Sequence, residues 1–180
     1  AVCAAPAVPL DTIGGDWQVI TDKLWCKGTS EANMEIVTGP DGSKRSLKFD
    51  YALGKRPEGS PFADLACKYT EDKDFYSGFS GIKFKMKGSG GKIRVVFISS
   101  NVSTWNYWGY IIDSAPSAWT EYAVKWTDLR PGWASTEPLK ESLARVTELQ
   151  FHAEGGKEGD KGWLEVADIG LIVDKDAKAA

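Results

Sequence analysis

Between Ser99 and Trp133 the chain carries Trp105, Tyr107, Trp108, Tyr110, Trp119, Tyr122, Trp126 and Trp133. Each such ring buries a large area when it goes inside, and one domain has core room for only a few. The run from Ser103 to Trp108 mixes its rings with Ser, Thr and Asn, the company of loops and strand edges. That mixture suits one kind of chemistry. A flat aromatic face covers an apolar ring of C–H bonds through burial and weak C–H···π contacts, while Asn, Asp, Glu, Arg and His bond to a rim of hydroxyls. Arg130 to Trp133 has both residue kinds as well. Trp105 and Trp133 sit among turn residues and are expected at the surface. Trp119, Tyr122 and Trp126 stand at strand spacing and are expected inside. Tyr107 and Trp108 are adjacent, so alternation sends one of them inward, and Trp17 and Trp25 are open between core and surface.

Other chemistries have less to stand on. There is one histidine, His152, which excludes most metal and triad catalysis. No Gly-x-Ser-x-Gly elbow, His-Glu-x-x-His or phosphate loop occurs. Acids are plentiful, among them Asp11, Asp50, Asp64, Glu121, Asp128, Glu154 and Asp160. A glycosidase needs two carboxylates about 5–9 Å apart across a cleft, so a glycoside hydrolase or lyase stays as an alternative. A net charge of −3 without a basic cluster argues against nucleic acid. No apolar run approaches the roughly 18–20 residues of a membrane-spanning helix.

The three cysteines, Cys3, Cys26 and Cys67, are too widely spaced for a ribbon-type zinc site. Cys26 and Cys67 are either paired, which implies an oxidising compartment, or two buried thiols. Cys3 stands in a small-residue stretch like that near a signal-peptide cleavage site, which predicts a secreted or cell-surface protein.

The elements that must position these residues are short strands. Residues 1–9 and 174–180 read as tails, the first a linker or processed end, on either side of one domain over 10–173. Strand patterns cover Asp16–Leu24, Asn33–Thr38, Ser46–Leu53, Phe62–Thr70, Gly81–Lys87, Lys92–Ser99, Tyr107–Asp113, Trp119–Trp126, Val146–Ala153 and Trp163–Val173. Gly39-Pro40-Asp41-Gly42 is a turn, and Gly88-Ser89-Gly90-Gly91 reads as a hairpin turn. Ile82, Phe84 and Met86 alternate with Lys83, Lys85 and Lys87, so that strand has one wet side. Leu139–Leu143 reads as a helical turn. Many strands and almost no helix predict an all-β fold, a two-sheet jelly-roll sandwich with a concave face for the exposed rings.

Six segments in order, starting at Leu10, Ser46, Gly81, Trp119, Val146 and Gly162, resemble the family 11 carbohydrate-binding modules that accompany bacterial cellulases. They include Ser-Leu-Lys-Phe-Asp-Tyr, Gly-Ile-Lys-Phe-Lys-Met-Lys-Gly and Val-Thr-Glu-Leu-Gln-Phe. The resemblance implies a galactose-binding-like jelly roll that binds β-glucan chains (cellulose or mixed-linkage glucan) without catalysis, as a monomer, for an attached or partner glycoside hydrolase. It places carbohydrate contacts at Trp25, Phe62, Trp108, Arg130, Trp133 and His152, to which the residue mixture of the 103–108 run adds Trp105 and Tyr107. Such folds often hold a structural calcium; here two of the usual acids are replaced, which leaves Asp11 and Asp168 as candidate ligands. A jelly roll of this type also serves as a protein-interaction or assembly domain, with the Trp-rich patch buried against protein.

Overall fold

The computed structural model describes residues 7–9, 15–42 and 45–175. In chain order it has β1 (Ala7–Pro9), β2 (Asp16–Thr21), β3 (Glu31–Thr38), β4 (Arg45–Ala52), β5 (Ala63–Lys73), β6 (Phe79–Ser89), β7 (Ile93–Ser99), β8 (Trp108–Ile112), β9 (Thr120–Lys125), β10 (Arg130–Pro131), α1 (Leu139–Leu143), β11 (Val146–Ala153) and β12 (Lys161–Val173). They form two antiparallel sheets, as expected of a jelly-roll sandwich. The first runs β3-β4-β12-β6-β9, with β1 also on β12; the second runs β10-β8-β7-β11-β5-β2.

Alternation builds the core. Ile82, Phe84 and Met86 of the first sheet face Val95, Phe97, Leu149 and Phe151 of the second, all buried. The Phe84 and Phe151 rings meet edge to face at 5.2 Å, and Phe97 meets Trp126 the same way at 5.5 Å. Each fully buried side chain of this kind contributes about 1.5–3 kcal/mol. On the solvent face of the first sheet, Lys83, Lys85 and Lys87 pair with Glu121, Asp168 and Glu165. Such exposed pairs add little stability.

Three expectations change, and the alternative left open for the cysteines is decided. Gly88–Gly91 is no hairpin: β6 pairs with β12 and β9, while β7 pairs with β8 and β11, so the turn crosses between sheets. The two strands face each other across the core instead of lying side by side. Ala7–Pro9, inside the span read as a tail, pairs with β12 over Gly170–Ile172, beyond the Val166 end of the β4 pairing. Trp119 is not inward with Tyr122, Val124 and Trp126. It lies under the Lys87 ammonium, 5.3 Å from the ring, on the lysine side of the sheet. Cys26 and Cys67 are not joined by a disulfide. Cys67 pairs with Trp17 near the start of β2, whereas Cys26 follows the far end of that strand. Four strand residues span about 13 Å, beyond disulfide reach. Cys3 lies outside the described residues.

Candidate functional site

The outward face of the second sheet follows from its register. Wherever Leu65, Cys67, Leu149, Phe151, Val95 and Phe97 point to the core, their neighbours point out. One outward row is Gln18, Ala66, Gln150, Val96, Gly109 and Arg130, taken across β2, β5, β11, β7, β8 and β10. The next row is Ile20, Asp64, His152, Arg94 and Ile111. On the other side lie Asp16, Lys68, Glu148 and Ile98. Ala66, Val96, Asp64 and Arg94 are buried although they point outward. Ala66 and Gly109 are small beside the longer side chains of the same face.

At one end, Nδ1 of His152 meets the Asp64 carboxylate. Burial alone would lower the His152 pKa; the Asp64 charge and hydrogen bond outweigh it and hold the imidazole above its ordinary value. The His152 ring stacks on Phe62 at 5.5 Å, and the Arg56 guanidinium covers the Phe62 ring at 5.5 Å. With these two groups against its ring, Phe62 does not offer the open stacking face expected of it. It instead fixes His152. Asp22, fully buried, holds this corner together. Its carboxylate accepts from the Ser30 N–H (3.0 Å) and hydroxyl (2.7 Å) and from the Phe62 N–H (3.2 Å). Its carbonyl accepts from Cys26 and Gly28. The loop so pinned carries Trp25, 61% exposed, beside exposed Leu24.

Toward the other edge, the Arg94 guanidinium lies across Gly109, where a Cβ would come within 2.8 Å of Nε, and donates to the Tyr107 carbonyl at 2.5 Å. Tyr107 is half-buried; burial and the nearby Glu148 charge push its hydroxyl pKa up. Burial likewise raises Glu148, against the pull of its Gln150 hydrogen bond and of Lys68. Asn106, 1% exposed, links two loops: Oδ1 accepts from the Trp133 N–H, and Nδ2 donates to the Ala134 carbonyl at 2.6 Å. Trp105 and Trp133 flank this link and are 71% and 68% exposed. Trp105 holds φ at +64°, a left-handed conformation that costs a tryptophan about 1 kcal/mol or more. Arg130 is exposed, and its Nη1 donates to the Thr127 and Leu129 carbonyls.

Trp108 leaves the candidate set. Its neighbour Tyr107 takes the outward side, and Trp108 packs on the core with its indole N–H donating to the Glu137 carbonyl. Arg94, Glu148, Gln150 and Lys68 join it. Their signal in the sequence was polar residues at every second position of otherwise apolar strands, Glu148, Gln150 and His152 in β11 above all. Arg94 stood out as one charge between Ile93 and Val95.

The sequence matches the family described as Complex I intermediate-associated protein 30 (CIA30) over residues 11–166, most of the chain. The chain belongs to the CIA30 family. No curated protein matches the sequence of this CIA30-family chain. Among solved structures, it is similar to a family 11 carbohydrate-binding module of a cellulosomal cellulase of Clostridium thermocellum. The two share 18% identity, with a TM-score of 0.66 and coverage of 96% of this chain and 97% of that one. A family 11 module of the same organism, in complex with a β-1,3-1,4-mixed-linked tetrasaccharide, gives 17%, 0.65, 95% and 98%. An exo-β-agarase gives 12% and 0.57, and this chain covers 26% of its length. At these identities the likeness is one of fold. The jelly roll of the family 11 modules is therefore present, under a different family name.

Of the two candidate calcium ligands, Asp11 lies outside the described residues. Asp168 sits at a bulge of β12 with φ +52°, and its carboxylate pairs with Lys85 Nζ at 3.2 Å. Among the described residues no three His, Cys, Asp or Glu side chains group as a metal site would require.

Proposed function

We propose that this chain is a non-catalytic carbohydrate-binding domain that takes β-glucan chains, of cellulose or mixed-linkage type, on the outward face of its second sheet. The observation that carries the reading is the composition of that face. A polar floor of Gln18, Gln150, His152, Arg94 and Tyr107 is accompanied by three exposed indoles, Trp25, Trp105 and Trp133, on pinned loops. Indoles held at fixed positions stack on sugar rings at low entropic cost, and the floor bonds to hydroxyls. Two acids of the face are engaged with neighbours, Asp64 with His152 and Glu148 with Gln150, which favours binding over hydrolysis. The shared fold of a module solved with a mixed-linked tetrasaccharide supports the same ligand class.

The domain would act outside the cell or on its surface, as a monomer, by raising the local concentration of an attached or partner glycoside hydrolase on its substrate. Calorimetric titration with cello-oligosaccharides and mixed-linkage oligosaccharides tests the reading. Binding lost in Trp105→Ala and Trp133→Ala, with thermal stability kept, agrees with it; a flat trace against every glucan contradicts it.

The family description favours a second reading, a surface for a protein partner in complex I assembly. Under that reading the same two substitutions abolish co-purification with complex I intermediates, and no glucan binds.

A further inference from the structure

Arg94 is 8% exposed, and its guanidinium has five N–H groups. Among the described residues it makes one hydrogen bond, to the Tyr107 carbonyl. Among the described residues no carboxylate lies within ion-pair distance of it. Asp64, its neighbour but one in the same row, is committed to His152. Glu154 acts on Arg94 only as a charge at longer range, and burial pulls the guanidinium pKa down. A desolvated charge without a counter-ion is expensive, and proteins ordinarily pair it.

The chain nevertheless clears space for it. A Cβ at Gly109 would come within 2.8 Å of Nε, and one at Gly132 within 3.0 Å of Nη1. Arg130 is the register partner of Gly109, with its Nη1 bonded to the Thr127 and Leu129 carbonyls. A site that makes room for a guanidinium, with no carboxylate among the described residues at ion-pair distance, suits a ligand that brings an anion. Neutral hydroxyls accept single bonds, whereas a carboxylate matches the planar fork with two.

We propose that Arg94 anchors an acidic-sugar subsite, so that the face prefers a β-linked chain bearing a uronate carboxylate over the neutral glucan. This rests on the carbohydrate-binding reading and narrows its ligand. A sulfate ester shares the anionic oxygens but not the planar geometry.

The test is calorimetry on the whole chain with three matched ligands: cellotetraose, the same oligosaccharide with its C6 carbons oxidised to carboxylates, and its C6-sulfated form. The oxidised form is expected to bind about tenfold tighter than the neutral one, in line with one charge-assisted contact. The preference shrinks as sodium chloride is raised and disappears in Arg94→Gln. Sulfated ligand binding more weakly than oxidised ligand supports the carboxylate; sulfated ligand binding tighter overturns it. Equal or tighter binding of cellotetraose overturns the proposal while leaving glucan recognition intact. Failure of all three to bind removes both. Should Arg94→Gln not fold, the ratio and its salt dependence on the unsubstituted chain decide.

Discussion

The backbone N–H of Trp133 donates to Oδ1 of Asn106 at 3.1 Å. Through that one buried amide the loop carrying Trp105 and the loop carrying Trp133 are held as a unit, because Nδ2 of the same side chain reaches the Ala134 carbonyl. Asn106→Ala would leave the Trp133 donor and the Ala134 acceptor without their partner. The expected cost is about 2–4 kcal/mol, from losing more than one bond in a buried place. Urea unfolding measures it, and oligosaccharide binding should weaken although both indoles remain.

Trp105 gives a prediction of opposite sign. Its φ of +64° suits glycine and strains any other residue. Trp105→Gly should therefore be more stable than Trp105→Ala by about 1 kcal/mol, while both lose ligand affinity alike. Thermal unfolding of the pair checks this. Alanine proving the more stable would show that the strain is absent.

Asp22 and Phe62 form the matching corner at the other end. Asp22→Asn keeps the shape but turns one acceptor into an N–H that confronts donors, because the Ser30 N–H and hydroxyl and the Phe62 N–H all point at it. A loss of about 2–4 kcal/mol is expected, with Trp25 fluorescence shifting before global unfolding as its loop comes free.

The His152–Asp64 pair sets a pH dependence. The folded pKa of His152 is raised above the ordinary 6.5. Protonated His152 therefore stabilises the fold fully below about pH 6.5. That contribution is lost as pH rises through the higher, folded value. Melting temperature measured from pH 5.5 to 8.5 should fall with pH more steeply in the unsubstituted chain than in Asp64→Asn. Parallel curves would contradict the pairing.

The sheets were legible in the sequence because alternation is a local signal. Lys83, Lys85 and Lys87 announced a solvent face, and Val146–Ala153 was bounded to the residue. The composition of the second sheet's outward face was not legible, because it depends on register between distant strands. Nothing near Asp64 in sequence shows that it will stand against His152, or that Arg94 will extend over Gly109 on another strand. Gly88–Gly91 misled for the same reason, since a turn sequence tells where the chain bends and not which strand it will pair with. Phe62 entered only through the family resemblance, and the folded chain alone reveals Arg56 and His152 against its ring.

Carbohydrate binding on the outward face of the second sheet makes a direct claim about which residues a sugar would touch. Amide chemical-shift mapping during titration with a mixed-linkage tetrasaccharide reads this out residue by residue. Shifts concentrated at Tyr107, Gln150, His152 and the indoles of Trp25, Trp105 and Trp133, with the Lys83–Lys87 face silent, are the predicted result. Shifts on the lysine face, or none at saturating ligand, would contradict it.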